Sequence, residues 1–274
     1  TLLEYYQSAA LYCYVINAKT GSVLYSKNAD QKAYPASITK LMTACVMLKY
    51  CEGDEVFTAG DEVGMIGEGS SIAYIKKRHR LTVNMLVDAM LLPSGNDAAY
   101  VVAVNVARKV SGNSTLTNEE AVAYFTGLMN QEAAALGCTG THFNNPDGYH
   151  DDNHYSTAAD LALICKYART FETICESVAK ESVSVVYASG QTNTWYNTNY
   201  LLTHTTYSGD ESKWYKSYVT GMKTGMTDEA GSCIAISAEK DGLSVIAIVL
   251  NCSSMTARYN EAFRLMEAIY GEDK

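Results

Sequence analysis

Residues 231–252, GSCIAISAEKDGLSVIAIVLNC, read as a β-hairpin: SCIAISA and LSVIAIVL are apolar and β-branched, with a turn over Glu239-Lys240-Asp241-Gly242. Residues 11–27 repeat the pattern near the other end, as LYCYVI, a turn over Asn17-Ala18-Lys19-Thr20-Gly21, and SVLYS. Helical signals fill most of the space between. SITKLMTACVMLKY (37–50) follows Pro35 and is apolar on nearly every side, which predicts a buried helix beginning near Ser37. Thr82 caps VNMLVDAMLL, which Pro93 ends, and DAAYVVAVNVARKV (97–110) resumes as helix until Ser111-Gly112. Thr117 and Glu120 match a capping box that opens a helix to about Leu136, with Gly137 as terminator. A polar loop, HFNNPDGYHDDNHY (142–155), leads to a helix from about Thr157 to Tyr167. VSVVYAS (183–189) reads as a strand, GQTNTWYNTN (190–199) as a turn-rich loop, and TARYNEAFRLMEAIY (256–270) as an amphipathic helix. With strands at both ends, the simplest fold is α+β. The terminal hairpins share one antiparallel sheet in a lobe of about 1–40 and 180–274, and a mostly helical lobe of about 41–179 is inserted. A cleft between the lobes is where a site is expected.

At 274 residues the chain is long enough for a sizeable core. A net charge of -9 argues against a nucleic-acid partner, because no basic block exists to neutralise phosphates. The one basic cluster, Lys76-Lys77-Arg78-His79-Arg80, reads as a solvated turn. No run of 18 or more apolar residues would span a membrane, and no basic n-region precedes an apolar h-region at the amino terminus. Eight cysteines lack any C-x-x-C or Cys/His zinc spacing, and their pairing is left open.

Three short motifs carry chemistry, and each occurs more than once. Ser-x-x-Lys stands at Ser37–Lys40, Ser177–Lys180 and Ser237–Lys240; Ser-x-Asn at Ser94–Asn96, Ser111–Asn113 and Ser26–Asn28; Lys-Thr-Gly at Lys19–Gly21 and Lys223–Gly225. A serine hydroxyl needs a base, and lysine serves if its neutral form is favoured by burial and a nearby cation. On a helix, i and i+3 share a face, so Lys40 lies over Ser37, and the helix amino terminus offers free N–H groups to an oxyanion. Ser177 lacks a comparable helix start, and Ser237 ends a strand at a turn. Ser94 follows Pro93, so its hydroxyl and the Asn96 amide can face a cleft; Ser111-Gly112-Asn113 is a helix end and Lys19-Thr20-Gly21 a hairpin turn. Lys223-Thr224-Gly225 lies on or beside an edge strand, where Gly225 lets substrate backbone approach. There Lys223 and Thr224 can bind a carboxylate, and the Met226 N–H can complete an oxyanion hole. Lys40 then acts as base on condition that burial and Lys223 keep it neutral.

The ordered set 37–40, 94–96 and 223–225 is that of penicillin-recognising serine enzymes. With their flanks (PASITKLMTA, LLPSGNDAA, HFNNPDG with YSTAADLALI, NTNYLL and GMKTGMTDEAG) the matches resemble the low-molecular-weight D-alanyl-D-alanine carboxypeptidases, from about residue 12 to 265. That resemblance implies a β-lactamase-like sheet with an inserted helical lobe. It implies that Ser37 attacks the carbonyl of a terminal D-Ala-D-Ala in a peptidoglycan stem peptide, that Lys40 takes its proton, and that Ser94 relays a proton to the leaving D-alanine. Asn96 would hold the substrate amide, Lys223 and Thr224 the carboxylate, and the N–H groups of Ser37 and Met226 the oxyanion. No cofactor or metal is expected; β-lactams would acylate Ser37. Members often carry histidine where this chain has Met226. The resemblance also implies an extracytoplasmic location, at the outer face of the cytoplasmic membrane or in the cell wall. This chain is expected to be the catalytic domain, with a second β domain or membrane anchor belonging to a longer form.

A β-lactamase would use the same motifs, but no Glu-x-x-Leu-Asn stands between Asp97 and Lys223. A non-catalytic β-lactam sensor remains an alternative. A metal hydrolase would draw on the ligand-rich loop Asp147–His154, where His150 and His154 are four apart; beside Pro146 and Gly148 the loop reads instead as a solvated border of the cleft.

Overall fold

The structure, a computed structural model, describes residues 3–272. In chain order, β1 (Tyr12–Asn17) and β2 (Val23–Lys27) precede a 3₁₀ turn (Ala36–Ile38) that runs into α1 (Thr39–Tyr50). Then follow β3 (Val56–Thr58), β4 (Arg80–Thr82), α2 (Val83–Leu91), α3 (Asn96–Ser111), α4 (Asn118–Ala135), α5 (Ala158–Ala168) and α6 (Glu172–Val178). Strands β5 (Ser182–Val186), β6 (Thr192–Tyr196), β7 (Val219–Thr227), β8 (Gly231–Lys240) and β9 (Leu243–Cys252) lead to α7 (Met255–Tyr270).

The terminal hairpins do share one sheet, in the order β2-β1-β9-β8-β7 and antiparallel throughout. The β8–β9 hairpin is tighter than its sequence suggests: Glu239 and Lys240 still pair, with Ser244 and Leu243, so the turn is Asp241-Gly242 alone. Both turn residues have positive φ, 52° and 80°, the geometry of a two-residue turn matched to strand twist. Ser237 accordingly sits inside β8, opposite Ile246, rather than at its end.

LSVIAIVL is apolar throughout because both faces of β9 are covered. Val245, Ala247 and Val249 pack with Leu265 and Met266 of α7, while Ile246, Ile248 and Leu250 join the core that holds the helices. Each of the valine, isoleucine, leucine and methionine side chains gains about 1.5–3 kcal/mol from leaving water. The run Thr39–Met47 of α1 is buried on every side, as its all-round apolar sequence requires, since α1 contacts α2, α3, α4 and α5. At α4 the capping box forms as read, Thr117 Oγ1 accepting the Glu120 N–H and Glu120 accepting the Thr117 N–H.

Four elements depart from the sequence reading. Thr192–Tyr196 is a strand paired with β5 rather than loop, its alternating Thr, Trp and Tyr outweighing the turn signal of its asparagines. This hairpin forms a sheet of its own. It packs on the helical side, where Trp195 Nε1–H and Asn193 Nδ2–H both donate to the Ala73 carbonyl. The expected lobe boundary near residue 180 therefore precedes a hairpin that does not belong to the five-stranded sheet. Short α6 and the three-residue strands β3 and β4 carry too few residues for a periodic signal. Arg80, read as part of a turn, begins β4, while Lys76–His79 do turn, with Arg78 at φ 76°. All eight cysteines are free, and only Cys175 is not buried.

Candidate active site

Ser37 sits in the 3₁₀ turn and Lys40 in the first turn of α1, so the i,i+3 spacing brings Lys40 Nζ to 2.8 Å from Ser37 Oγ. The same nitrogen lies 3.2 Å from Ser94 Oγ and 2.9 Å from the Asp147 carbonyl oxygen. Lys40 is fully buried, and burial lowers its pKa from 10.5 to about 8, against the opposing pull of Asp147 and Asp97. Lys223 is itself held well below the ordinary lysine range, by burial first and then by Lys40 and Arg258, so two buried lysines lie within reach of each other's charge. Burial is the largest cause favouring the neutral base.

Two glycines press on the backbone of the nucleophile. A Cβ on Gly148, at φ 87°, would come within 1.9 Å of the Ala36 carbonyl oxygen. One on Gly225 would come within 2.8 Å of the Ser37 nitrogen. Ala36 itself is held at φ 48°. Only glycine permits both approaches.

Of the loop Asp147–His154, read as a solvated border of the cleft, Tyr149 and His150 do line it and Asp151–Asn153 are exposed, whereas Asp147 and His154 are buried behind the site. Thr43 Oγ1 donates to the Pro146 carbonyl at 2.7 Å. His154 is buried; its Nδ1 accepts the Asn144 N–H at 3.1 Å, which leaves Nε2–H to donate to Thr39 Oγ1 at 2.8 Å. Burial pushes the His154 pKa down from 6.5 to about 3. His150 lines the cleft instead, its ring edge-on to Tyr34 and its Nε2 3.1 Å from Asp152. Among the described residues no three His, Cys, Asp or Glu side chains converge as metal ligands.

Ser94, at φ 62°, is buried where the chain turns from α2 into α3. Asn96 opens α3, its N–H donating to the Ser71 carbonyl and its Nδ2 to Ser70 Oγ at 2.9 Å. Its Oδ1 is buried with no partner among the described residues. Asp97 accepts the N–H groups of Ala73 and Ile75 at 2.8 and 2.9 Å, fixing segment 70–75 over the site.

Lys223, Thr224, Gly225 and Met226 lie on β7, the edge of the sheet. Thr224 Oγ1 is 2.6 Å from Thr198 Oγ1 and faces the cleft. Lys223 does not reach the cleft surface: it is 1% exposed and donates to the Thr224 carbonyl at 2.9 Å. The cation that does reach it is Arg258 of α7, which sequence reasoning missed. Arg258 Nη1 lies 3.3 Å from the Gly225 carbonyl, its plane lies over Tyr259, and its buried Nε lacks a partner among the described residues. No motif marked it; the one clue was a basic residue early in the last amphipathic helix.

Ser37 stands where two cavities meet. One, of about 260 Å³, is lined by Ser94, Thr198, Thr224 and Arg258; the other, of about 460 Å³, by Asn96, Tyr149 and His150. Ser37 and Met226 line both. The arrangement holds a hydroxyl beside a buried amine whose pKa is lowered to about 8, a second hydroxyl on that amine, and a cationic end to the cleft. That is the equipment for acyl transfer from a substrate with a carboxylate next to its scissile bond.

The family model described as D-alanyl-D-alanine carboxypeptidase matches residues 4–254. The D-alanyl-D-alanine carboxypeptidase DacF of Bacillus subtilis (strain 168) is 29% identical over 94% of this chain. The chain spans 61% of that relative's length. The crystal structure of the Streptomyces K15 DD-transpeptidase superposes with a TM-score of 0.85 at 32% identity, covering 97% of this chain and 98% of that one. Penicillin-binding protein D2 of Listeria monocytogenes, in its ampicillin-bound form, gives 0.75 at 29% identity over 96% and 98%. Similarity in sequence and in fold thus runs over nearly the whole of this chain, and the chain belongs to the D-alanyl-D-alanine carboxypeptidase family.

Proposed function

We propose that this chain is a serine-type D-alanyl-D-alanine carboxypeptidase that removes the terminal D-alanine from peptidoglycan stem peptides through an acyl-enzyme on Ser37. The observation that carries the reading is the buried Lys40 Nζ between Ser37 Oγ and Ser94 Oγ, at 2.8 and 3.2 Å, with its pKa brought down to about 8. At pH 7 roughly a tenth of such a lysine is neutral, enough to accept a proton at each turnover.

Neutral Lys40 takes the proton from Ser37 Oγ as that oxygen bonds to the carbonyl carbon of the penultimate D-alanine. The carbonyl oxygen, now an anion, lies between the N–H groups of Ser37 and Met226. As the C–N bond breaks, the proton passes from Lys40 through Ser94 Oγ to the leaving nitrogen. The terminal carboxylate is held by Thr224 and Arg258, with Lys223 supporting the strand from behind. Asn96 Oδ1, unpartnered, accepts an N–H of the acyl portion. Water then attacks the ester, returns a proton through the same route and frees Ser37.

β-Lactams would acylate the same serine, a reading favoured by the ampicillin-bound Listeria relative. Action on a cell-wall substrate places the protein outside the cytoplasm; among the described residues no helix is long and apolar enough to cross a membrane. The test is release of D-alanine from a tripeptide ending in D-Ala-D-Ala, which also separates an enzyme from a non-catalytic sensor. Acylation by penicillin without D-alanine release would leave only the sensor reading.

A further inference from the structure

The two halves of the cleft have opposite charge. Arg258 lines the smaller, whereas Glu68, Asp228 and Glu229 line the larger, with no lysine or arginine. Neither Glu68 nor Asp228 has an ion-pair partner among the described residues, and the nearest basic group to Glu229 is His150 Nδ1 at 3.9 Å. Asn96, only 6% exposed, also lines this half, and its buried Oδ1 has no partner among the described residues. Across the cavity Tyr149 OH donates to the Glu68 carbonyl at 3.0 Å and holds that wall in place.

The direction of the substrate follows from this asymmetry. A terminal carboxylate sits with Arg258, so the acyl portion runs past Ser37 into the acidic half. From this, and resting on the proposed carboxypeptidase reading, we propose that the larger cavity selects a free cationic amine on the residue before D-Ala-D-Ala. Asn96 fixes the backbone of that residue, and Glu68, Asp228 and Glu229 surround its ammonium group. The favoured substrate is a stem peptide whose diamino acid has an unsubstituted side-chain amine, rather than one already joined through that amine to a bridge or a second strand.

The acidic wall is partly open to solvent, Glu229 being 48% exposed, so its attraction is long-range and screened by salt. The measurement is kcat/KM for D-alanine release from Nα-acetyl-L-lysyl-D-alanyl-D-alanine and from its Nα,Nε-diacetyl counterpart, on one protein preparation at low ionic strength. The expected ratio is about fivefold or more in favour of the free amine, falling toward unity in ~0.5 M salt. It should also fall toward unity in an Asp228→Asn, Glu229→Gln protein, and a ratio does not depend on how much of the variant is folded. Equal values at low salt, or a preference for the diacetyl peptide, would overturn the proposal while leaving the carboxypeptidase reading intact. D-alanine from neither peptide would overturn that reading and the proposal together.

Discussion

Ser37–Lys40 and Ser177–Lys180 have the same spacing, the first at the start of a helix and the second at the end of one, yet their surroundings make them different objects. At Ser177 the hydroxyl donates to Asp88 Oδ1 at 2.7 Å, and Lys180 Nζ meets both oxygens of the same carboxylate at 2.9 and 2.8 Å. That lysine is held in an ion pair, with its side chain 38% exposed. Lys40 touches no carboxylate, only two hydroxyl oxygens and a carbonyl, and is fully buried. A paired carboxylate holds a lysine's proton in place, whereas burial without one favours its loss. The serine, the lysine and their spacing are common to both, and the chemistry comes from what packs around them.

Exchanging serines should break the comparison most visibly. Ser37→Ala is expected to lower D-alanine release about a thousandfold or more, whereas Ser177→Ala should cost roughly 1–3 kcal/mol of stability with turnover retained. Steady-state kinetics with urea unfolding on both proteins separate the two effects. The lysines should divide the same way. Lys40→Met is expected to cost about a hundred- to ten-thousandfold in kcat/KM, the range for losing a general base. Lys180→Met, which leaves Asp88 without its cation, should lower the unfolding midpoint instead.

A pH profile sharpens the contrast without mutation. Because Lys40 must be neutral to act, kcat/KM should climb about tenfold per pH unit and level off above about 8. Lys180→Met should leave that profile where it is; a plateau already reached at pH 6 would contradict the role given to Lys40. The smallest effect concerns the loop behind the site. The folded His154 pKa of about 3 lies below its ordinary 6.5, so its contribution to stability is complete above 6.5 and is lost as the pH falls from there to 3. Between pH 7.5 and 5 the wild type should lose about 2 kcal/mol more than His154→Gln, read from urea unfolding at both pH values.

What was legible in the sequence was local or strongly patterned. The capping box at Thr117 needs only four residues, and the apolar runs of α1, β8 and β9 announce burial by composition alone. Ser37, Lys40, Ser94, Asn96, Thr224, Gly225 and Met226 meet at one cleft as their motifs imply. What was hidden depends on partners distant in the chain. The ligand-rich loop looks solvated because Asp, Asn, His and Gly usually are, yet Asp147 and His154 are buried by contacts to Lys40 and Thr39, more than a hundred residues away. Arg258 reads as one charge on an amphipathic helix until α7 lays it beside Gly225. Lys223 has the right type and place in sequence, but its side chain is buried and does not line the cleft that Thr224 lines.

The claim beneath all of this is that Ser37, among three serines with the same motif, is the nucleophile. Mass spectrometry of the digested protein after brief exposure to penicillin locates the acylated residue directly. The expected result is one penicilloyl adduct on the peptide that contains Ser37, absent from Ser37→Ala. An adduct on Ser94, Ser177 or Ser237, or an adduct that persists in Ser37→Ala, would contradict it.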